Sequence, residues 1–167
     1  TGSLKKGTSA KRRKPRHWGP SSRSPYARLL GDIMRLEAFG LGPSFDPEKF
    51  NPIRNQIKKP YGGLWTSPVG SKRSFADFCK IALMEERVSG LSFVVNFEGN
   101  LMVIDSKEDW NKLPLLADKK PDFEALAREY DGLWLTYKGL LENRWGYFYA
   151  WDCKTVLVFN PDCISQE

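Results

Sequence analysis

The sequence predicts a mixed α+β domain, built of small, mostly antiparallel sheets and short helices, behind a basic tail. Three observations predict it. Short runs rich in β-formers are interspersed with short runs of helical spacing, separated by Gly- and Pro-rich turns and without an internal repeat. Apolar residues are 41% of the 167 and aromatic residues 13%, enough for one buried core. No strand–GxGxxG–helix unit occurs, which argues against a Rossmann sheet.

Taken in order, residues 1–25 hold eight of the 26 Lys and Arg and no acid, among Gly, Ser, Thr and Pro. Such a segment has little to bury against its chain entropy, so a flexible tail is expected there and a single domain over 26–167. From Tyr26 to Phe39, Leu29, Leu30, Ile33, Met34 and Leu36 recur at helical spacing, ended by Gly40 and Gly42. Residues 40–62 form a Pro- and Asn-rich connection anchored by Phe45, Phe50 and Ile53, and 63–67 are short and extended. Phe75 to Glu86 reads as a helix capped by Ser74, burying Phe75, Phe78, Cys79, Ile81, Ala82 and Leu83. Leu91–Phe97 and Leu101–Ile104, joined by Glu98-Gly99-Asn100, read as a hairpin. Ser106 and Asp109 open a short helix, and Pro121 opens another through Glu129. Leu133–Thr136, Tyr147–Ala150 and Thr155–Phe159 read as strands.

The formal charge of +6 belongs to the tail. Residues 26–167 carry 18 basic and 20 acidic groups, a balance of −2. The run Lys11, Arg12, Arg13, Lys14, Arg16 is suited to contact with nucleic acid or another polyanion by counterion release, and equally to a solvated arm or linker. No stretch of about 18 apolar residues occurs, so no membrane helix is expected, and no basic-then-apolar start marks a secretory leader. Three cysteines without paired spacing point to a reducing compartment, the cytoplasm or a host cytoplasm reached by delivery. The one histidine, His17, lies in the tail, so neither a Cys/His zinc site nor a histidine-based nucleophilic mechanism is expected in the body, and no metal is assigned.

The segment Lys59-Pro60-Tyr61-Gly62-Gly63-Leu64-Trp65-Thr66-Ser67-Pro68 is the most unusual of the chain. Two glycines let the backbone turn and let a ligand approach it; an aromatic face and two hydroxyls follow on an extended run. That set suits a planar ligand bearing a carboxamide and a ribose or phosphate. The bland alternatives are a core Trp65, glycines that serve only a turn, and an Asp152 that accepts backbone bonds at a strand end.

Gly62-Gly63-Leu64-Trp65-Thr66-Ser67 resembles the glycine-aromatic segment of ADP-ribosyltransferases of the diphtheria-toxin and poly-ADP-ribose-polymerase group. The wider pattern, with Val-Ile-Asp-Ser (103–106), Tyr-Asp-Gly-Leu-Trp-Leu-Thr (130–136), Trp-Asp-Cys (151–153) and Leu-Val-Phe-Asn-Pro-Asp-Cys-Ile (157–164), is similar to small bacterial and phage proteins of that superfamily. The resemblance spans roughly 50–164. It implies NAD as substrate, held by Lys59, Tyr61, Gly62, Gly63, Leu64, Trp65, Thr66 and Ser67. Trp65 or Tyr61 would supply the aromatic face, and a late acid, Asp152, the catalytic carboxylate. It implies mono-ADP-ribosyl transfer to a macromolecular acceptor, nucleic acid or a host protein, in a toxin-like role. The group's usual Glu is Asp here, its frequent site histidine is missing from the body, and residue 154 is Lys. Asn55, Lys59 or Arg54 are candidates for the ribose contact, and Glu142 is a second candidate carboxylate. A non-enzymatic nucleic-acid-binding module, or a phage-particle component tethered by the tail, is the competing expectation.

Overall fold

The computed structural model describes residues 33–87 and 92–167. The tail, with Lys11, Arg12, Arg13, Lys14 and Arg16, lies outside the described residues. The strands are β1 (Met34–Phe39), β2 (Leu64–Pro68), β3 (Ser92–Phe97), β4 (Leu101–Ile104), β5 (Gly132–Leu135), β6 (Thr155–Val158) and β7 (Ile164–Gln166). The helices are α1 (Phe75–Ile81), α2 (Lys107–Trp110), α3 (Phe123–Leu126) and α4 (Tyr137–Glu142). The strands form one seven-stranded sheet in the order β4-β5-β6-β2-β1-β3-β7, where several small sheets were expected. Every pairing is antiparallel except β4 with β5. The mixed α+β, mostly antiparallel class holds.

At its centre the sheet is buried on both faces. All four residues of β6 are buried: Val156 and Val158 join a cluster with Leu36, Leu64, Val95 and Phe97, while Leu157 joins another with Leu133, Leu135, Phe123 and Trp151. Alternate residues of one strand serve opposite faces, so a strand read as a continuous apolar run is a central one.

Several expected elements differ. Of the helix expected over 26–39, residues 26–32 lie outside the described residues, and 34–39 are a strand. Met-Arg-Leu-Glu-Ala-Phe buries Leu36 and Ala38 and turns Arg35 outward, a period of two that the leucines upstream had obscured. α1 ends at Ile81, and Ile81 and Leu83 are exposed; of its side chains only Cys79 is fully buried. Ser74 caps it as expected, within a capping box closed by Asp77. β3 and β4 do not form a hairpin but lie towards opposite ends of the sheet. At the turn between them Glu98 N–H donates to Cys163 O (2.9 Å) and Asn100 N–H to Asp131 Oδ2 (2.8 Å). The chain is thus carried across rather than folded back. The helix expected from Pro121 is only α3, capped by Asp122. Tyr147–Ala150 is a 3-10 turn. α4 and β7 had no sequence reading.

Candidate active site

The pairing that builds the site is β2 against β6, with Leu64, Trp65 and Thr66 opposite Val158, Leu157 and Val156. It brings the segment 59–67 beside 151–155, about ninety residues later. Between them lies a cleft of about 320 Å³, lined by Lys59, Gly63, Trp65, Thr66, Ser67, Trp151, Asp152, Cys153 and Thr155, with Phe39, Leu41 and Phe75 as an apolar wall. This volume is at the lower end of small-molecule sites.

Trp65 is held in a defined orientation. Its Nε1–H donates to Gly62 O (3.2 Å), and its ring meets that of Trp151 with centroids 4.9 Å apart. Trp151 is buried against Phe123 and Phe148, so the partly exposed Trp65 is braced by an aromatic core. Lys59 Nζ stands over the Trp65 ring, 5.9 Å from its centroid, and 3.7 Å from Asp152 Oδ2. A cation, an aromatic face and a carboxylate thus meet at one wall of the cleft. The Asp152 side chain is 45% exposed, and among the described residues its carboxylate accepts no backbone hydrogen bond. The turn-stabilising role therefore does not apply to it. Beneath, burial pushes the Cys153 thiol up from its ordinary value, and burial lowers Lys154.

The other expected site residues fall elsewhere or serve the fold. Thr66 Oγ1 donates to Val156 O (2.7 Å), and Ser67 Oγ accepts from Phe75 N–H (3.1 Å) and lies 3.5 Å from Lys154 O. Both hydroxyls are buried and bonded to backbone, while both residues line the cleft. The Leu64 side chain is core. Tyr61 is exposed, pairs through its backbone with Arg54, and does not line the cleft, so of the two candidate aromatics only Trp65 lies there. Gly62 (φ +82°) and Gly63 (φ +69°) are glycine because of the chain itself. A Cβ on Gly62 would stand 2.2 Å from Pro52 O, and one on Gly63 2.8 Å from Val158 O. Of the two, only Gly63 lines the cleft.

Among the candidates for a ribose contact, Asn55 is committed to the α3 cap, donating to Asp122 Oδ1 (2.9 Å) and accepting from Phe123 N–H (2.8 Å). Arg54 pairs with Glu124 at 3.2 Å and does not line the cleft. Lys59 alone of the three lies there. Glu142 accepts from Lys107 N–H (2.9 Å) on α4 and does not line the cleft. The apolar wall of Phe39, Leu41 and Phe75 was missed. Its signal was the alternation of 34–39, which places Phe39 at a strand end. No cluster of metal-ligating side chains occurs among the described residues, and no described helix is long and apolar enough to cross a membrane. Comparison of the chain with family models, curated proteins and solved structures finds no match.

Proposed function

We propose that the chain is an NAD-dependent mono-ADP-ribosyltransferase of ADP-ribosyltransferase-like fold, acting from the cleft between β2 and residues 151–155. One observation carries the reading: Trp65, Lys59 and Asp152, drawn from two distant segments, line one wall of a single cleft. Nicotinamide leaves its ribose through an oxocarbenium-like state, as a sugar does in glycoside cleavage. Before departure the ring is cationic. An indole face attracts a cation, and the position of the Lys59 ammonium over Trp65 marks where positive charge is favoured. The Asp152 carboxylate, beside that face and without a backbone bond among the described residues, would stabilise the ribosyl cation or take the acceptor's proton. Lys59 supplies the positive charge for the diphosphate of NAD. Phe39, Leu41 and Phe75 give the cleft an apolar lining that limits water around the reacting centre.

Incubation with NAD labelled in the adenylate moiety, with protein, RNA and DNA acceptors, tests the reading through label transfer and nicotinamide release. Asp152→Asn is expected to lower turnover by about a hundredfold or more, the scale of a lost acid–base or charge-stabilising group, with unchanged thermal melting. Trp65→Phe is expected to keep the fold and weaken NAD binding. Absence of both transfer and nicotinamide release, with no NAD binding by calorimetry, sinks the proposal.

A further inference from the structure

Beyond Lys59 the surface continues as a trough. Lys59 lines both the main cleft and an adjoining hollow floored by Gln56, Ile57, Lys58 and Ala150. Ile57, Lys58 and Ala150 in turn line a further hollow of about 470 Å³ that reaches Lys119, Lys120, Trp110, Tyr147 and Tyr149. Neighbouring depressions share lining residues, Lys59 between the first two and Ile57, Lys58 and Ala150 between the last two. The character of this trough differs from the rest of the near-neutral body. Lys58 and Lys119 are exposed and make no ion pair among the described residues; Lys120 pairs with Asp118 at 2.8 Å. Tyr149 is 75% exposed and Ile57 also 75%. Trp145, 83% exposed with Arg144 over its ring at 4.9 Å, directly precedes in sequence Gly146, which lines that hollow.

We infer that this trough binds single-stranded nucleic acid and leads it to the cleft as the acceptor. Unpaired lysines at intervals can track a phosphate backbone, while open aromatic faces offer stacking platforms for unpaired bases, and the two together are the recurring means of holding single strands. A duplex has its base faces closed and gains only from the charge. The lysines alone would equally suit an acidic protein, but Tyr149 and Trp145 add nothing to the capture of carboxylates. The acceptor role rests on the transferase reading; the binding does not. It also puts the nucleic-acid surface on the body, where the sequence drew attention only to residues 1–25.

The test is fluorescence anisotropy of a labelled oligothymidylate with the full chain, without NAD, over a range of salt. Tyr149→Ala is expected to weaken binding by about fivefold or more, the lower end of one stacking platform. The double substitution Lys58→Gln and Lys119→Gln is expected to make the slope of log affinity against log salt shallower by about 1.4, about 0.7 for each phosphate of a single strand that is no longer neutralised. These side chains are exposed, so the melting temperature serves as a check that the fold is kept. Unchanged affinity and slope in these variants overturns the inference. So does loss of binding confined to the chain in which Lys11, Arg12, Arg13, Lys14 and Arg16 are changed to Gln, or equal competition by polyglutamate with no effect of Tyr149→Ala. A chain that binds through the trough but neither consumes NAD nor labels the strand refutes the transferase reading and leaves the trough standing as a binding site.

Discussion

At the scale of single residues, the pair Lys59–Asp152 decides how the cleft behaves. Both side chains are close to half exposed, and their separation of 3.7 Å gives an ion pair worth well under about 1 kcal/mol to the fold. Changing either one should therefore leave stability alone and report on chemistry. Lys59 has no other carboxylate partner among the described residues and faces the cleft from above Trp65. On the proposed transferase reading, Lys59→Met is expected to raise KM for NAD by about tenfold with kcat little changed, because a contact with the diphosphate would be made equally in the ground and transition states. Steady-state nicotinamide release measures both constants. A fall in kcat at constant KM would instead place Lys59 at the reacting centre. These residues were legible in sequence because their chemistry is unusual where they stand: a tryptophan after two glycines, an acid after a tryptophan. The backbone bonds of Thr66 and Ser67 were not legible, because a hydroxyl in a strand reads the same whether it faces a ligand or bonds to a neighbouring carbonyl. Only the pairing with β6 and the approach of α1 reveal which.

At the scale of elements, the turn Gly62-Gly63 is held to glycine by the chain packed around it. The two glycines looked like a window for a ligand, yet the atoms that forbid a side chain belong to Asn51, Pro52, Leu157 and Val158. The turn clamps the connection 51–54 onto the start of β2, with Gly63 N–H donating to Asn51 O at 2.8 Å. Gly62→Ala combines a left-handed backbone with a clash against Pro52 O, so a loss of roughly 2–4 kcal/mol is expected, measured by urea unfolding. A neutral substitution would mean that the connection can move away. The elements missed or altered share a reason. The alternation of β1 was outweighed by leucines before it. β3 and β4 had the signature of a hairpin because local pattern records strand character and turn residues, not partners. Glu98-Gly99-Asn100 makes a turn, but its amides are taken by Cys163 and Asp131 from far along the chain. α4 begins with Thr136 accepting from Gly139 N–H, a cap legible only once β5 is known to end at Leu135.

At the scale of the whole molecule, the sheet order makes the cleft, and the order depends on crossovers that local sequence does not encode, two of which bear on the cleft and its supports. One places β6 between β5 and β2, joining 59–67 to 151–155. The other sends the chain from β3, beside β1, to β4 at the far edge. Asp131 ties these paths together. Its carboxylate accepts from Asn100 N–H (2.8 Å) and Asn160 Nδ2 (2.9 Å), and its carbonyl accepts from Phe159 N–H (2.7 Å) and Asn160 N–H (3.1 Å). The entrance to β4, the start of β5 and the exit from β6 are thereby held at one point. Next to it, Cys163 takes a hydrogen bond from Asn160 Nδ2, and its thiol is pushed up to about 12, first by burial and then by the charge of Asp131. Asp131→Ala removes two bonds to a charged acceptor and leaves Asn160 without its carboxylate partner. The expected cost is roughly 2–4 kcal/mol in urea unfolding, with the cleft residues in place in what remains folded. The same substitution removes a charge that opposes thiolate formation, so Cys163 is expected to react faster with a thiol reagent at pH 8 in the folded variant than in the wild type. The sign follows from the cause: a carboxylate beside a thiol raises its pKa, and taking it away lowers it. Equal stability and equal thiol rates would mean that the two crossovers are held by the apolar clusters alone. Loss of stability with restored thiol protection on adding NAD would show that the cleft and this junction fold as one unit, because a ligand bound only to the native state stabilises all of it.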